Sequence, residues 1–306
     1  MKMPPLVSVV MITYGQENYI RKAVESILMQ KCDFAVEFVL ANDCSPDGTH
    51  HVIEDIIKNH PNGSWIKYFR HEHNLGMMSN FIFALKQCSG SYIAMCEGDD
   101  YWTDPLKLQK QVSFLDANPE YVLCFHQVDL LNLNGDIVDD FITKVPEDYE
   151  TIETLASLGN YIHTPSVVFR NIIRKFPFEF ELSPIGDYFL YLMLAEHGKL
   201  KFLQEKMAVY RHGVGVFSST SEIAITKNNL KLFTCLLSYL NNEETKKIIL
   251  KRHFKILSYL EESIHNNYSN SFVSNHSFFR FLKIIRSDYK SPKKIARTIL
   301  NNLLKR

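Results

Sequence analysis

The sequence predicts an α/β protein: a doubly wound, mostly parallel sheet flanked by helices, with a C-terminal helical extension. Three observations lead there. Short apolar runs alternate with amphipathic segments through the first 125 residues, the pattern of strands joined by right-handed helical crossovers. The runs at 6–12 and 36–41 are apolar and valine-rich, as strands covered on both faces should be. Beyond residue 218 the chain turns to Asn-, Lys- and Leu-rich helical periodicity, as in Leu230, Phe233, Leu236, Leu237 and Leu240.

Each element follows in order. Residues 6–12 form a first strand, and Ile20, Ala23, Val24, Ile27 and Leu28 recur at helical spacing after it. A second strand at 36–41 precedes a helix marked by Val52, Ile53, Ile56 and Ile57, and a third strand occupies 65–69. Phe81, Ile82 and Leu85 line a helix that ends near Gly90, before a fourth strand at 92–96. Asp104-Pro105 supplies an N-cap and first-turn proline for a helix carrying Leu108, Val112 and Leu115. Segment 127–150, with seven acids and one lysine, reads as an exposed excursion. A strand at 166–170, a helix at 188–196 stopped by Gly198 and a last strand at 207–211 complete the first domain, 1–218. Residues 219–306 form a basic helical region.

Composition bounds the function. The 306 residues are 46% hydrophobic and 22% charged, which excludes a disordered or collagen-like chain. Lys+Arg and Asp+Glu are 34 each, so net charge gives no ground for nucleic acid binding. The balance conceals an asymmetry: residues 218–306 hold 16 basic side chains against six acids, leaving residues 1–217 acidic. Six cysteines without a C-x-x-C pair suggest reduced thiols and a cytoplasmic location. No apolar run approaches the ~18–20 residues that span a bilayer, so membrane contact is expected to be peripheral.

The chemistry collects where ligands bind in an open α/β sheet, beyond the carboxyl ends of the strands. Strand one ends in Thr13-Tyr14-Gly15, strand two in Asn42-Asp43-Cys44-Ser45-Pro46-Asp47-Gly48, and strand four in Glu97-Gly98-Asp99-Asp100. Asp43 and Asp47 also satisfy a plain turn. Three adjacent acids directly after an apolar strand do not, because their repulsion calls for a cation. Oxygen-only ligands suit Mg²⁺ or Mn²⁺, which commonly bridge carboxylates to substrate phosphates.

VSVVMITYGQENYIRKAVESILMQ, FVLANDCSPDGT, HNLGMMSNFIFAL and SGSYIAMCEGDDYWTDPLKLQKQ, in that order, resemble the N-terminal half of family-2 glycosyltransferases of the GT-A fold. The likeness continues in HTPSVVFR, GDYFLYLMLAEHGK and AVYRHGVGVFS, so that it spans roughly 7–218. It implies an inverting transferase moving a sugar from a nucleoside-diphosphate sugar, a UDP-sugar first among donors, to a saccharide or lipid-linked saccharide hydroxyl. By the same resemblance Thr13, Tyr14, Glu17, Asp43 and Asn74 border the nucleotide. Asp99, with Glu97, Asp100 and His212, holds Mn²⁺ or Mg²⁺, and Asp187 is the base. The chain departs from the family pattern at Gly15 (commonly Asn), Asn42 and Glu97 (commonly Asp), and Ser79 (often Arg). Asp187 could also merely cap a helix, and His212 could be a surface histidine.

Two other functions remain in view. Nucleotidyl transfer needs a basic, glycine-rich loop after strand one, which Thr13-Tyr14-Gly15-Gln16-Glu17 lacks; a non-catalytic nucleotide-sugar-binding module would not need Asp99, Asp100 and Asp187. In the tail, Ser291-Pro292 opens a basic amphipathic helix with Ile295, Ile299 and Leu303 on one side. It either lies on an anionic membrane at the inner face of the cell membrane or packs on the acidic catalytic domain.

Overall fold

Strand β1 (Val7–Thr13) buries every residue except Ile12, which is partly covered. A computed structural model describes residues 7–215 and 221–267. Helix α1 (Glu17–Leu28) follows, and its buried face is the stripe Ile20, Ala23, Val24, Ile27 and Leu28. The alternation continues through β2 (Val36–Asn42), α2 (Thr49–Asn59), β3 (Ile66–Arg70), α3 (Met77–Lys86) and β4 (Tyr92–Met95). These four strands are parallel in the order β3-β2-β1-β4, with Thr13 beside Asn42 and Asn42 beside Arg70. The register aligns their carboxyl ends along one edge.

The rest of the sheet is mixed. After β5 (Tyr101–Trp102) and α4 (Lys107–Ala117) come β6 (Tyr121–Leu131), β7 (Ile137–Asp139), α5 (Ile152–Leu158), β8 (Val168–Arg170), α6 (Phe178–Leu182), α7 (Gly186–Ala195) and β9 (Lys199–Arg211). Strand β8 joins β4 and β6 antiparallel, β9 runs parallel to β6, and β5 and β7 add antiparallel to β9 and β6. Helix α4 starts later than Asp104-Pro105 suggests. The Asp104 carboxylate accepts from the Leu106 N–H (2.8 Å) and from Lys110 Nζ (2.8 Å), so it caps a turn just ahead of the helix. The acidic excursion is exposed over much of 133–148, with Asp140 an exception. Asp140 accepts from His163 Nε2 (2.9 Å) and from the N–H groups of Ile142 and Thr143, and the Asp140 and His163 side chains are nearly buried. Burial would raise the Asp140 pKa, but those bonds hold it at about 2.

By its contacts the chain divides into two units: a sheet unit that runs to Phe176 and resumes at Leu190, and a helical unit that includes Pro177–Phe189. Within the helical unit, aromatic rings of Pro177–Phe189 pack on the later helices. Phe180 packs on Phe189, and Phe189 on Tyr239 of helix α8 (Glu222–Tyr239). Helix α9 (Glu243–Asn267) returns antiparallel to α8: Tyr259 OH donates to Glu222 Oε1 (2.6 Å), and Thr234 Oγ1 lies 3.1 Å from His253 Nε2. No helix among the described residues is long and apolar enough to cross a membrane. The basic amphipathic helix expected after Ser291 lies outside the described residues.

At the amino-terminal edge of the sheet, Glu37 of β2 is 6% exposed and accepts hydrogen bonds from Ser8, Lys67 and Ser89. Ser8 in turn accepts from the Gly90 N–H (2.8 Å), so one carboxylate ties β1, β2, β3 and the approach to β4. Burial opposes the charged form, yet these donors outweigh it and bring the Glu37 pKa down to about 2. The folded value lies below the unfolded ~4.3. This stabilisation is therefore complete above pH ~4.3 and is lost as pH falls through about 2. Glu37→Gln should lower the thermal midpoint at pH 7 by roughly 3–10 °C, with the gap to wild type narrowing towards pH 2–3. An equal gap at both pH values would exclude a charge-based role.

Candidate active site

The carboxyl edge of β3-β2-β1-β4 carries three loops that are tied to one another by side chains. After β1, Thr13 Oγ1 donates to Gln16 Oε1 (2.7 Å), and Gly15 takes φ +66°, a conformation that favours glycine. The N–H groups of Gly15, Gln16 and Glu17 donate to Ser45 Oγ, Thr49 Oγ1 and Asp47 Oδ2, each at 3.0 Å. Glu17 returns the contact by accepting from the Gly48 N–H (2.9 Å). Asp47 also caps Thr49; burial opposes its ionised form, but the donors from Thr49 and Glu17 prevail and lower its pKa.

Asp43 is 3% exposed and links the remaining loop. Its two carboxylate oxygens accept from the N–H groups of Leu75 (2.7 Å) and Gly76 (2.9 Å). Asn74 Oδ1 also accepts from the Gly76 N–H (2.9 Å), with Gly76 at φ +86°. Asn42, where the family has Asp, uses both ends of its amide: Oδ1 accepts from the Ser45 N–H (2.8 Å) and Nδ2 donates to Tyr68 OH (2.9 Å). Of the five expected nucleotide-binding residues, Glu17, Asp43 and Asn74 thus spend carboxylate or amide oxygens on loop backbone. Thr13 is buried against Gln16, and Tyr14 is 52% exposed.

The loop after β4 holds the acids. Glu97, Asp99 and Asp100 bring carboxylate oxygens within 4.8 Å of one another. Asp99 and Asp100 are 7% and 1% exposed. Gly98 permits this placement: a Cβ there would meet Gln16 Oε1 at 2.3 Å and Thr13 Oγ1 at 3.0 Å. Burial raises the pKa of Asp99, against a Gln16 hydrogen bond and the Arg211 charge. Asp100 is raised well above the usual carboxylate range by burial first and then by Asp99 and Glu97. Asp100 Oδ1 accepts from the Arg211 N–H (2.8 Å), whereas buried Oδ2 has no hydrogen-bond partner. An orphaned oxygen among three hard donors fits a divalent Mg²⁺ or Mn²⁺ ion.

Sequence reasoning missed Arg211. Its guanidinium lies 4.9 Å from the Tyr19 ring and 5.3 Å from the Tyr101 ring, and its buried Nε has no partner. The Tyr-Arg-His-Gly segment was a signal for it, read only for the histidine. His212 is not among the clustered ligands; its ring meets Phe141 edge-on at 5.4 Å. Trp102 is a packing residue, with Nε1 donating to Pro165 O (2.8 Å). Asp187 is the second residue of α7, in the first turn, and belongs to the helical unit.

Gly98→Ala is expected to lower the thermal midpoint by roughly 2–10 °C, the cost of overpacking a close approach. Most of that loss should vanish in a Gln16→Ala background, because Gln16 holds the nearest atom. Additive effects of the two substitutions in a double-mutant cycle would contradict the contact.

The Glycosyl transferase family 2 model matches residues 8–176. An uncharacterized protein of Mycobacterium tuberculosis is 37% identical over 213 residues, covering 69% of this chain and 60% of that protein; the chain thus spans about three fifths of the length of such relatives. An uncharacterized glycosyltransferase of Methanocaldococcus jannaschii is 30% identical over 214 residues, 68% of this chain and 71% of that protein. Among solved structures, S. aureus TarS 1–349 in complex with UDP-GlcNAc superposes with a TM-score of 0.62 at 20% identity, covering 87% of this chain and 76% of that one. The mannosyltransferase PcManGT of Pyrobaculum calidifontis, in complex with GDP-Man and Mn²⁺, gives 0.56 at 13% identity, over 99% of this chain and 87% of that one. These structures share the GT-A fold with this chain. Together with the matched segment and the M. jannaschii relative, this establishes that the chain belongs to glycosyl transferase family 2.

Proposed function

We propose that the chain transfers a sugar, with inversion, from a nucleoside-diphosphate sugar to an acceptor hydroxyl. The observation that carries this reading is the cluster of half-buried Glu97 with buried Asp99 and Asp100, and its orphaned Asp100 oxygen, at the carboxyl edge of the parallel strands. Support comes from the ligands of the structural neighbours, UDP-GlcNAc in TarS and GDP-Man with Mn²⁺ in PcManGT. A UDP-sugar is the first donor to test. The acceptor is a saccharide or lipid-linked saccharide, met at the cytoplasmic face of a membrane that the chain touches peripherally.

In this reading Thr13 and Tyr14 border the base and ribose, while Glu17, Asp43 and Asn74 hold the loops that shape the pocket and keep lone pairs free to accept from the base. Asp99, with Glu97 and Asp100 beside it, would hold a divalent cation that supplies Lewis-acid stabilisation of the departing diphosphate. His212, which follows Arg211 at the end of β9, would be a further ligand in this reading, and Arg211 adds a positive charge beside the acids. The Asp187 carboxylate takes the proton of the acceptor hydroxyl as its oxygen attacks the anomeric carbon. The bond from that carbon to the diphosphate oxygen breaks, and its electron pair leaves with the nucleotide.

Two substitutions separate donor binding from transfer. Asp99→Asn keeps shape and removes charge, so the Mn²⁺-dependent rise in melting temperature given by UDP should disappear while the ligand-free midpoint stays near wild type. A retained Mn²⁺-dependent rise would refute the assignment of the acidic loop. Asp187→Asn should leave UDP binding intact and lower acceptor-dependent release of UDP by ~10²–10⁴-fold. Transfer at the wild-type rate would reduce Asp187 to a helix cap.

A further inference from the structure

The family model ends at residue 176, yet the residue proposed as base lies at 187, in a segment whose contacts group it with the helices of the helical unit. Three contacts fix that segment to the α8–α9 hairpin. Glu179 Oε1 accepts from Ser238 Oγ at 2.9 Å. The Phe189 ring packs on Tyr239 at 5.4 Å and on Phe180 at 5.4 Å. The third is the most directional: Tyr188, 3% exposed, accepts through its hydroxyl from Arg252 Nη1 at 3.0 Å. The same guanidinium lies 4.7 Å from the centre of the Phe233 ring of α8. One arginine of α9 therefore links α8, α9 and the first turn of α7.

These contacts bear on Asp187 through helix geometry. Residues 188 and 189 are anchored on two sides of the turn, ~100° apart around the axis. Fixing both sets the rotation of the turn and hence the direction in which the Asp187 side chain leaves it. A buried hydroxyl that loses its donor is penalised, so the Tyr188–Arg252 bond favours one rotation over its neighbours. Proton transfer is steep in distance: a misplacement of ~1 Å can cost ~10²-fold in rate.

We propose that the helical hairpin is a base-positioning device, in which Arg252 acts through Tyr188 to hold Asp187 in its working orientation. This rests on the reading of Asp187 as base. Arg252 is a positioning residue, not a catalytic one, and the hairpin has a role in the reaction that its absence from the matched family segment does not suggest.

The test uses the full chain with Tyr188→Phe, Arg252→Met and Arg252→Lys, each first checked for a cooperative thermal transition. Hydrogen exchange followed by mass spectrometry reports on the amides of 184–190. Tyr188→Phe removes a single oxygen and should speed exchange there about tenfold while 92–100 stays at the wild-type rate; ~1.4 kcal/mol of lost protection corresponds to that factor. Arg252→Met should do the same, and Arg252→Lys, which keeps one donor, should recover part of it. With UDP-N-acetylglucosamine, Mn²⁺ and methyl glycosides as probes, acceptor-dependent UDP release should fall ~10–100-fold at an unchanged donor KM. Unchanged exchange at 184–190 overturns the proposal, as does an equal loss of donor affinity and turnover, which marks a purely structural role. The Asp187→Asn variant keeps the two readings apart. If it transfers normally, the base assignment itself fails; if it is impaired while Tyr188→Phe is not, only the positioning role falls.

Discussion

Carboxyl groups taken out of water resist ionising and repel one another, and the carboxyl edge of this sheet gathers three such acids in one loop. Asp99 and Asp100 lie buried beside Glu97; burial pushes each towards its neutral form, and for Asp100 the neighbouring acids add to it. Nothing about strand packing requires acids there, since a solvated turn would connect β4 to β5 at lower cost. The surroundings answer the repulsion only in part. Arg211 contributes an N–H and a nearby charge, Gln16 contributes a hydrogen bond, and one Asp100 oxygen is left without a partner. A site left partly uncompensated is one that gains most from an added cation.

The opposite edge of the sheet shows the contrast. Glu37 is as buried as the acids of the cluster, but donors from three residues satisfy it and hold its pKa at about 2 rather than raising it. One edge is closed by a satisfied carboxylate, and at the other the buried Asp100 keeps one oxygen without a hydrogen-bond partner. The same side-chain chemistry thus serves cohesion at one end of the strands and ligand binding at the other.

Much of this was legible in the sequence, for physical reasons. Strands buried on both faces must be apolar runs, so β1, β2 and β4 were plain, and so was the apolar stripe of α1. Two-residue β5 and three-residue β7 were not, because such short segments carry no periodicity. The acidic loop stood out because three adjacent acids are costly without a cation. Arg211 did not stand out, because its significance comes from strand pairing: Tyr101 lies beside Val209, which places the end of β9 against the acids. The split at 177–189 was equally hidden. It shows in which aromatic rings meet, as Phe189 meets Tyr239, and spacing along the chain does not encode that.

The mutual hydrogen bonding of the loops after β1 and β2 has a thermodynamic consequence. Gly15, Gln16 and Glu17 donate to Ser45, Thr49 and Asp47, and Gly48 donates back to Glu17. Neither loop can change shape without breaking bonds to the other, so the pair has few independent conformations to lose. The entropy of ordering both is spent largely during folding rather than at each encounter. A ligand that touches only one loop finds the other already in place, and its affinity is not reduced by a fraction of misfit states.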